Sequence, residues 1–215
     1  MQRDSKGQIT HHIFERSERI EIAALPRVTK PGHIGHLSSV DIEPLKAKVE
    51  HLSETAWGKE DEGKPNSFPC FHHTQHMLFR FIPDNQNAAN FVSYASWPLW
   101  APLLLPVMQA AIAPYNFARP VFPKAMLARL LAKRHIDLHR DGAGSNLESH
   151  KIHVPLQTND GVRFQFDNAE FQLRAGEAYE VNNIRRHGGC NAGDEHRTHF
   201  IFEVFDAAAS KKITY

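Results

Sequence analysis

His139-Arg140-Asp141 and His187 are the residues with which this chain can do chemistry. Two imidazoles and a carboxylate at three adjacent corners of a metal ion leave the opposite corners open, the arrangement of non-haem iron(II) centres that activate O2. A His-x-Asp pair at a strand end turns both side chains to one side, because strand residues alternate faces with period two. His139-Arg140-Asp141 closes the run HIDLH and enters the glycine-rich turn Gly142 to Gly144. His187, followed by Gly188 and Gly189, opens a later strand expected to lie across the mouth of a barrel. Arg197 begins the last strong strand, THFIFEVF, and its planar fork suits a bidentate grip on the far carboxylate of a dicarboxylate such as 2-oxoglutarate.

The pair is weak evidence by itself. The chain has fifteen histidines, so coincidences are expected, and His135-Ile136-Asp137 is a second copy. His139 and Asp141 are preferred because they stand at the strand's exit, whereas His135 and Asp137 would lie deeper or face solvent. His196 and His199 are rivals to His187, and His199 shares strand parity with Arg197. His72, His73 and His76 form another cluster, without a carboxylate partner, expected on a strand beside the site's mouth. His139-Arg140-Asp141 with Asn146 also fits the kinase pattern H-R-D-x-x-x-x-N. The glycine-rich loop, strand lysine and Asp-Phe-Gly that a kinase needs are absent, which excludes that reading.

These residues need strands to position them, and the sequence supplies strands after Pro123. MLARLLAK, HIDLH, KIHVPLQT, VRFQF, EFQL, EAYEV and THFIFEVF are strand-sized, and DGAGSN, NDG, DNA, RAGE and NAGDE separate them as turns. Short strands with glycine-rich turns after a helical first half predict a mainly β fold, a double-stranded β-helix (jelly roll, cupin-like) with an N-terminal helical layer. The first forty residues read as strands and loops. A helix follows, with Asp41 as its cap, Pro44 in its first turn and Leu45, Val49 and Leu52 at helical spacing. Lys59 to Pro69 reads as a loop and Phe71 to Phe81 as a strand. The uncharged stretch from Phe91 to Ala118 reads as a buried core helix, with Trp97 and Trp100 in its packing. The expected organisation is one domain over 1–215: a mixed part at 1–120 packed on the barrel, a jelly-roll core at 121–206 and a tail at 207–215.

Bulk properties narrow the function classes. Lys+Arg 25 against Asp+Glu 24 gives a formal net charge of +1, without the basic excess of a nucleic-acid binder. The uncharged stretch exceeds the roughly 20 residues of a membrane span, but Pro98, Pro102, Pro106 and Pro114 interrupt it. Cys70 and Cys190 form no C-x-x-C pair, and the N-terminus has no signal-peptide core. A cytoplasmic protein with neither nucleic-acid nor membrane partners is expected; its oligomeric state stays open.

Trp97-Pro98-Leu99-Trp100-Ala101-Pro102-Leu103, the His139-Arg140-Asp141 turn, His153-Val154-Pro155-Leu156, and His187 with Arg197 ten residues later resemble the aspartyl/asparaginyl β-hydroxylase family. Bacterial proline hydroxylases of the same fold stand nearby. The resemblance runs from about Trp97 to Asp206. It implies an enzyme that uses iron(II), 2-oxoglutarate and O2 to hydroxylate an amino acid, free or within a peptide or protein. It also implies His139, Asp141 and His187 as metal ligands, with Arg197, His153 and Lys151 as cosubstrate contacts. Animal members of the family lack the carboxylate ligand. Asp141 therefore strengthens the iron assignment and weakens any inference of an aspartyl substrate. Two alternatives remain: a cupin-like metalloenzyme that does not use 2-oxoglutarate, and a non-catalytic binding module on the same fold.

Overall fold

A computed structural model of the chain describes residues 14–19, 24–65 and 68–209. The first half contains β1 (Phe14–Arg19), β2 (Ile34–Ser39), α1 (Glu43–Glu50), α2 (Glu54–Asp61), β3 (Thr74–Phe81), β4 (Asn90–Tyr94) and α3 (Trp97–Ile112). Eight strands follow: β5 (Pro120–Leu130), β6 (Arg134–His139), β7 (His150–Gln157), β8 (Val162–Phe166), β9 (Ala169–Phe171), β10 (Glu177–Val181), β11 (His187–Asn191) and β12 (Arg197–Asp206).

These eight form the jelly roll. β5, β12, β7 and β10 lie side by side in one sheet, and β6, β11, β8 and β9 make the other. The first half widens the larger sheet to eight strands, ordered β1-β4-β3-β5-β12-β7-β10-β2, and lays helices on its outer face.

β12 explains the layering. Its alternate residues Phe200, Phe202 and Val204 are fully buried in the main core with Leu127, Ile152, Leu104 and Met108 beneath α3. The intervening residues Arg197, His199, Ile201 and Glu203 line an inner cavity. Both faces are covered, so the strand is hydrophobic on one side and functional on the other, a direct result of its period of two.

The uncharged stretch divides differently from the sequence expectation. Asn90–Tyr94 is strand β4, paired with β1 and β3, and the helix begins at Trp97. Pairing with strand edges outweighed local helical character. Pro98, Pro102 and Pro106 recur every four residues on the exposed side of α3, so the helical carbonyls they leave without a donor can turn to water. Trp100, Leu104, Val107, Met108 and Ala111 occupy the buried side. No described helix is long and apolar enough to cross a membrane.

Two smaller differences concern the first half. The expected loop at 59–69 overlaps α2, which runs to Asp61; Ser53 caps that helix by accepting the Ala56 N–H at 3.1 Å. Phe71 belongs to a 3-10 turn, Pro69–Phe71, ahead of β3. α1 lies where expected, and Asp41 accepts the Glu43 N–H at 3.0 Å. Of the first forty residues, 1–13 and 20–23 lie outside the described residues, as do 210–215 of the expected tail; 207–209 form a 3-10 turn.

Candidate metal centre

β6 and β11 are antiparallel neighbours, and His139 and His187 are register partners. Their rings are 4.5 Å apart, centroid to centroid. The second imidazole thus comes from the adjacent strand of the small sheet, not from across the barrel mouth as the sequence suggested. The chain must approach very closely there. A Cβ at Gly188 would stand 2.6 Å from the Ile136 carbonyl oxygen, and one at Gly189 would stand 2.9 Å from that of Arg163. Glycines after His187 therefore let β11 fit between β6 and β8. Phe164 stacks parallel to the His187 ring, and Phe71 meets His139 edge-on.

Asp141 lies beyond the end of β6. Its N–H donates to the Asn183 carbonyl at 3.0 Å, which fixes the chain after the strand. Asp141 Oδ1 faces His139 Nε2 at 3.6 Å. The other oxygen, Oδ2, accepts from Lys151 Nζ and from Asn183 Nδ2 (3.1 Å). Asn183 also donates to Asn146 Oδ1 at 2.9 Å, and Asn146 in turn donates to the Gly142 carbonyl at 3.0 Å. Asn183 and Asn146 are thus parts of the site that the sequence reading did not assign; Asn146 enters it only within the rejected kinase pattern, and no spacing rule marks Asn183.

Each histidine has Nδ1 against a backbone carbonyl: His139 on Asp137 at 2.8 Å and His187 on Arg185 at 2.9 Å. An Nδ1–H donated in this way leaves the Nε2 lone pair free, the tautomer a metal ligand needs. The ligand atoms of His139, Asp141 and His187 lie within 4.8 Å of one another, among the described residues the one such cluster. The donor set of two imidazole nitrogens and one carboxylate oxygen suits iron(II). His135 and Asp137 pair with each other at 3.2 Å on the surface and are more than half exposed.

The larger sheet forms the facing wall of a cavity of about 720 Å3. Arg197, His199, His153, Lys151 and His76 line it. Arg197 is 5% exposed, its Nη1 donates to His199 Nδ1 at 3.0 Å, and its Nε has no partner among the described residues. His153 Nδ1 stands 3.3 Å from the same His199 nitrogen, and the Nε2 atoms of both rings are buried with no partner among the described residues. Unsatisfied buried donors are costly, and here they converge on a cavity. Of the histidine cluster, His76 on β3 alone is buried in the cavity wall, while His72 and His73 before the strand lie outside it with ring centroids 3.8 Å apart and planes tilted by 50°. His196 accepts the Ala132 N–H and stands away from the cavity.

Charge follows this geometry. Burial alone would raise the Asp141 carboxyl, but the Lys151 ammonium, the His139 hydrogen bond and His187 hold it well below the usual range. Burial opposes the Lys151 charge, and Asp141 and Glu203 more than restore it. Burial lowers His187 to about 4 and His76 to about 3, and places His153 and His199 well below the ordinary value. Burial also lowers Arg197 to about 10, which leaves it a cation at neutral pH.

The depressed histidines make acid sensitivity a prediction. A histidine that is harder to protonate folded than unfolded stabilises the fold fully above pH ~6.5, and that stability is lost as pH falls toward the folded value. For His76 the window runs from about 6.5 down to about 3. Urea unfolding of metal-free protein should show stability falling from pH 7 to pH 5, and His76→Phe should reduce the slope by up to about 1.4 kcal/mol per pH unit. An unaltered slope would mean that His76 is already protonated in the fold.

Residues 101–207 match the family described as aspartyl/asparaginyl β-hydroxylase. No curated protein matches the chain by sequence. Among solved structures, the viral collagen prolyl hydroxylase of Paramecium bursaria Chlorella virus-1, in complex with 2-oxoglutarate, is 7% identical with a TM-score of 0.50, covering 80% of this chain and 95% of its own. HygX from Streptomyces hygroscopicus, with nickel and 2-oxoglutarate bound, is 14% identical with a TM-score of 0.50, covering 80% of this chain and 82% of its own. At these identities the likeness is one of fold.

Proposed function

We propose that this chain, whose residues 101–207 match the aspartyl/asparaginyl β-hydroxylase family, is a 2-oxoglutarate-dependent non-haem iron oxygenase that hydroxylates an amino acid, free or within a peptide or protein. The observation that carries this reading is one cavity holding two features: the His139, Asp141 and His187 ligand atoms within 4.8 Å of one another, and the buried Arg197 with an unpartnered Nε.

In this reading His139 Nε2, Asp141 Oδ1 and His187 Nε2 hold iron(II), and Arg197 receives the far carboxylate of 2-oxoglutarate. Bound together with O2, the metal and cosubstrate would supply the oxidation of an unactivated C–H bond, one oxygen atom going to the substrate and the other to succinate, with CO2 released. The protein's own residues do the positioning. Carbonyls of Asp137 and Arg185 hold both Nδ1 protons, so neither ring can rotate or change tautomer without losing a hydrogen bond. Lys151 and Asn183 occupy Asp141 Oδ2 and leave Oδ1 for the metal. The family resemblance also puts Lys151 among the cosubstrate contacts; its ammonium here engages Asp141. His199 orients Arg197, and His153 presents a buried Nε2 to the same cavity. Phe164 and Phe71 flank the two imidazoles and limit access of water to them.

Purified protein supplied with iron(II), 2-oxoglutarate and O2 should form succinate, and a chelator should stop it. A mass-spectrometric screen of amino acids and peptides should find one that gains an oxygen atom. Iron binding without any succinate would favour the cupin-like reading, and absence of iron binding would favour a binding module.

A further inference from the structure

Beyond the metal ligands, the cavity wall carries a second set of charges. Glu203 on β12 is the register partner of Lys124 on β5 and of Lys151 on β7. Glu203 Oε1 accepts from Lys124 Nζ at 3.1 Å, and Oε2 accepts from Ser149 Oγ at 2.8 Å. Lys151 turns to Asp141. The four residues Asp141, Lys151, Glu203 and Lys124 line the same cavity and alternate in sign outward from the metal centre. Around the outer pair the wall is apolar, with Phe81, Met126 and Ile201.

A buried ion pair is weak evidence of a stabilising role. Glu203 is 1% and Lys124 6% exposed, and exchanging such a buried ion pair for well-packed apolar residues is often neutral or stabilising. Its neighbours on the cavity face of the same strands, Met126 and Ile201, are apolar. A charged pair on a cavity wall can instead trade partners with a ligand that carries both signs, so that no charge is left unpaired in either state. A ligand with a carboxylate alone would take Lys124 but leave Glu203 facing an anion; an ammonium alone would do the reverse. Lys124 Nζ and Glu203 Oε1 stand 3.1 Å apart, close enough to meet the two charged groups that a free amino acid carries on one carbon. Lys30 stands behind this wall, bonded to the Ser149 carbonyl at 2.8 Å, and adds positive potential there.

We propose that Lys124 and Glu203 form the substrate clamp of the oxygenase site, receiving the carboxylate and the ammonium of a free amino acid whose side chain extends toward His139, Asp141 and His187. This inference rests on the oxygenase reading and narrows it, because a residue inside a peptide lacks both charged groups.

The test uses the full chain with iron(II) and 2-oxoglutarate. Succinate formation is measured with each of the twenty common amino acids, and with the N-acetyl and amide derivatives of those that stimulate it. At least one free amino acid should accelerate succinate formation tenfold or more, and both blocked forms should lose that effect. The double variant Lys124→Met/Glu203→Met should lose the stimulation with its Tm unchanged or raised, whereas single variants leave a buried charge alone and can fail to fold. Three results would overturn the clamp: equal stimulation by blocked forms, retained stimulation in the double variant, or no stimulation by any free amino acid. Anaerobic titration of iron(II) and 2-oxoglutarate onto the parent protein keeps the two ideas apart. If neither binds, it is the oxygenase reading that fails.

Discussion

Asp141→Ala is expected to weaken iron(II) binding by at least about 100-fold, beyond the 10- to 100-fold that loss of a group supporting a ligand costs, and to stop iron-dependent succinate formation. Two effects combine. The metal loses its one anionic donor, and Lys151, whose ammonium Asp141 engages, becomes a buried cation facing the same metal. Breaking such a pair from one side destabilises a fold by about 3–5 kcal/mol, so lost activity alone would not identify a ligand. The double variant Asp141→Asn/Lys151→Met removes both charges while keeping the shape. It should fold with a Tm close to the parent's and still fail to bind iron(II) in a calorimetric titration. Parent-like iron affinity in that variant would take Asp141 out of the ligand set and leave a two-histidine centre.

The second large effect is expected at Arg197. Its guanidinium is buried, Nη1 rests on His199, and Nε has no acceptor among the described residues. A cation held this way contributes little to the stability of the protein alone and much to an arriving carboxylate. Arg197→Met should therefore leave Tm unchanged or raise it in the absence of cosubstrate. In its presence the loss of a buried charge-assisted contact, about 3 kcal/mol, should raise KM for 2-oxoglutarate roughly a hundredfold. The upward Tm shift that 2-oxoglutarate gives the parent should disappear at the same concentration. A variant with parent-like KM would assign the far carboxylate to another group, for which Lys151 on the same cavity wall is the candidate.

The sequence made the jelly roll readable because its cues are local. Strand-length apolar runs and Gly/Asn/Asp turns follow from backbone conformational preference, and they mark the segments that become β5 to β10 and β12, whereas the glycine-bearing β11 is placed only through His187. Period-two alternation in THFIFEVF placed Arg197 and His199 on one face. The division of Phe91 to Ala118 was not readable, because an apolar segment without charge suits a buried helix and a buried strand equally. β4 became a strand through its pairing with β1 and β3.

The metal centre divides along the same line. Residue types and spacing by themselves made His139 and Asp141 a candidate pair leaving a strand on one side, with a later histidine and an arginine after it as candidate partners. Only the tertiary structure decided that His187 pairs directly with His139, that Lys151 and Asn183 occupy the outer oxygen of Asp141, and that Glu203 stands between two lysines. The physical reason is range. Turn propensity and side-chain alternation act over a few residues, whereas strand register and burial are settled by contacts between residues tens of positions apart. The strength of every charge in this cavity depends on that burial.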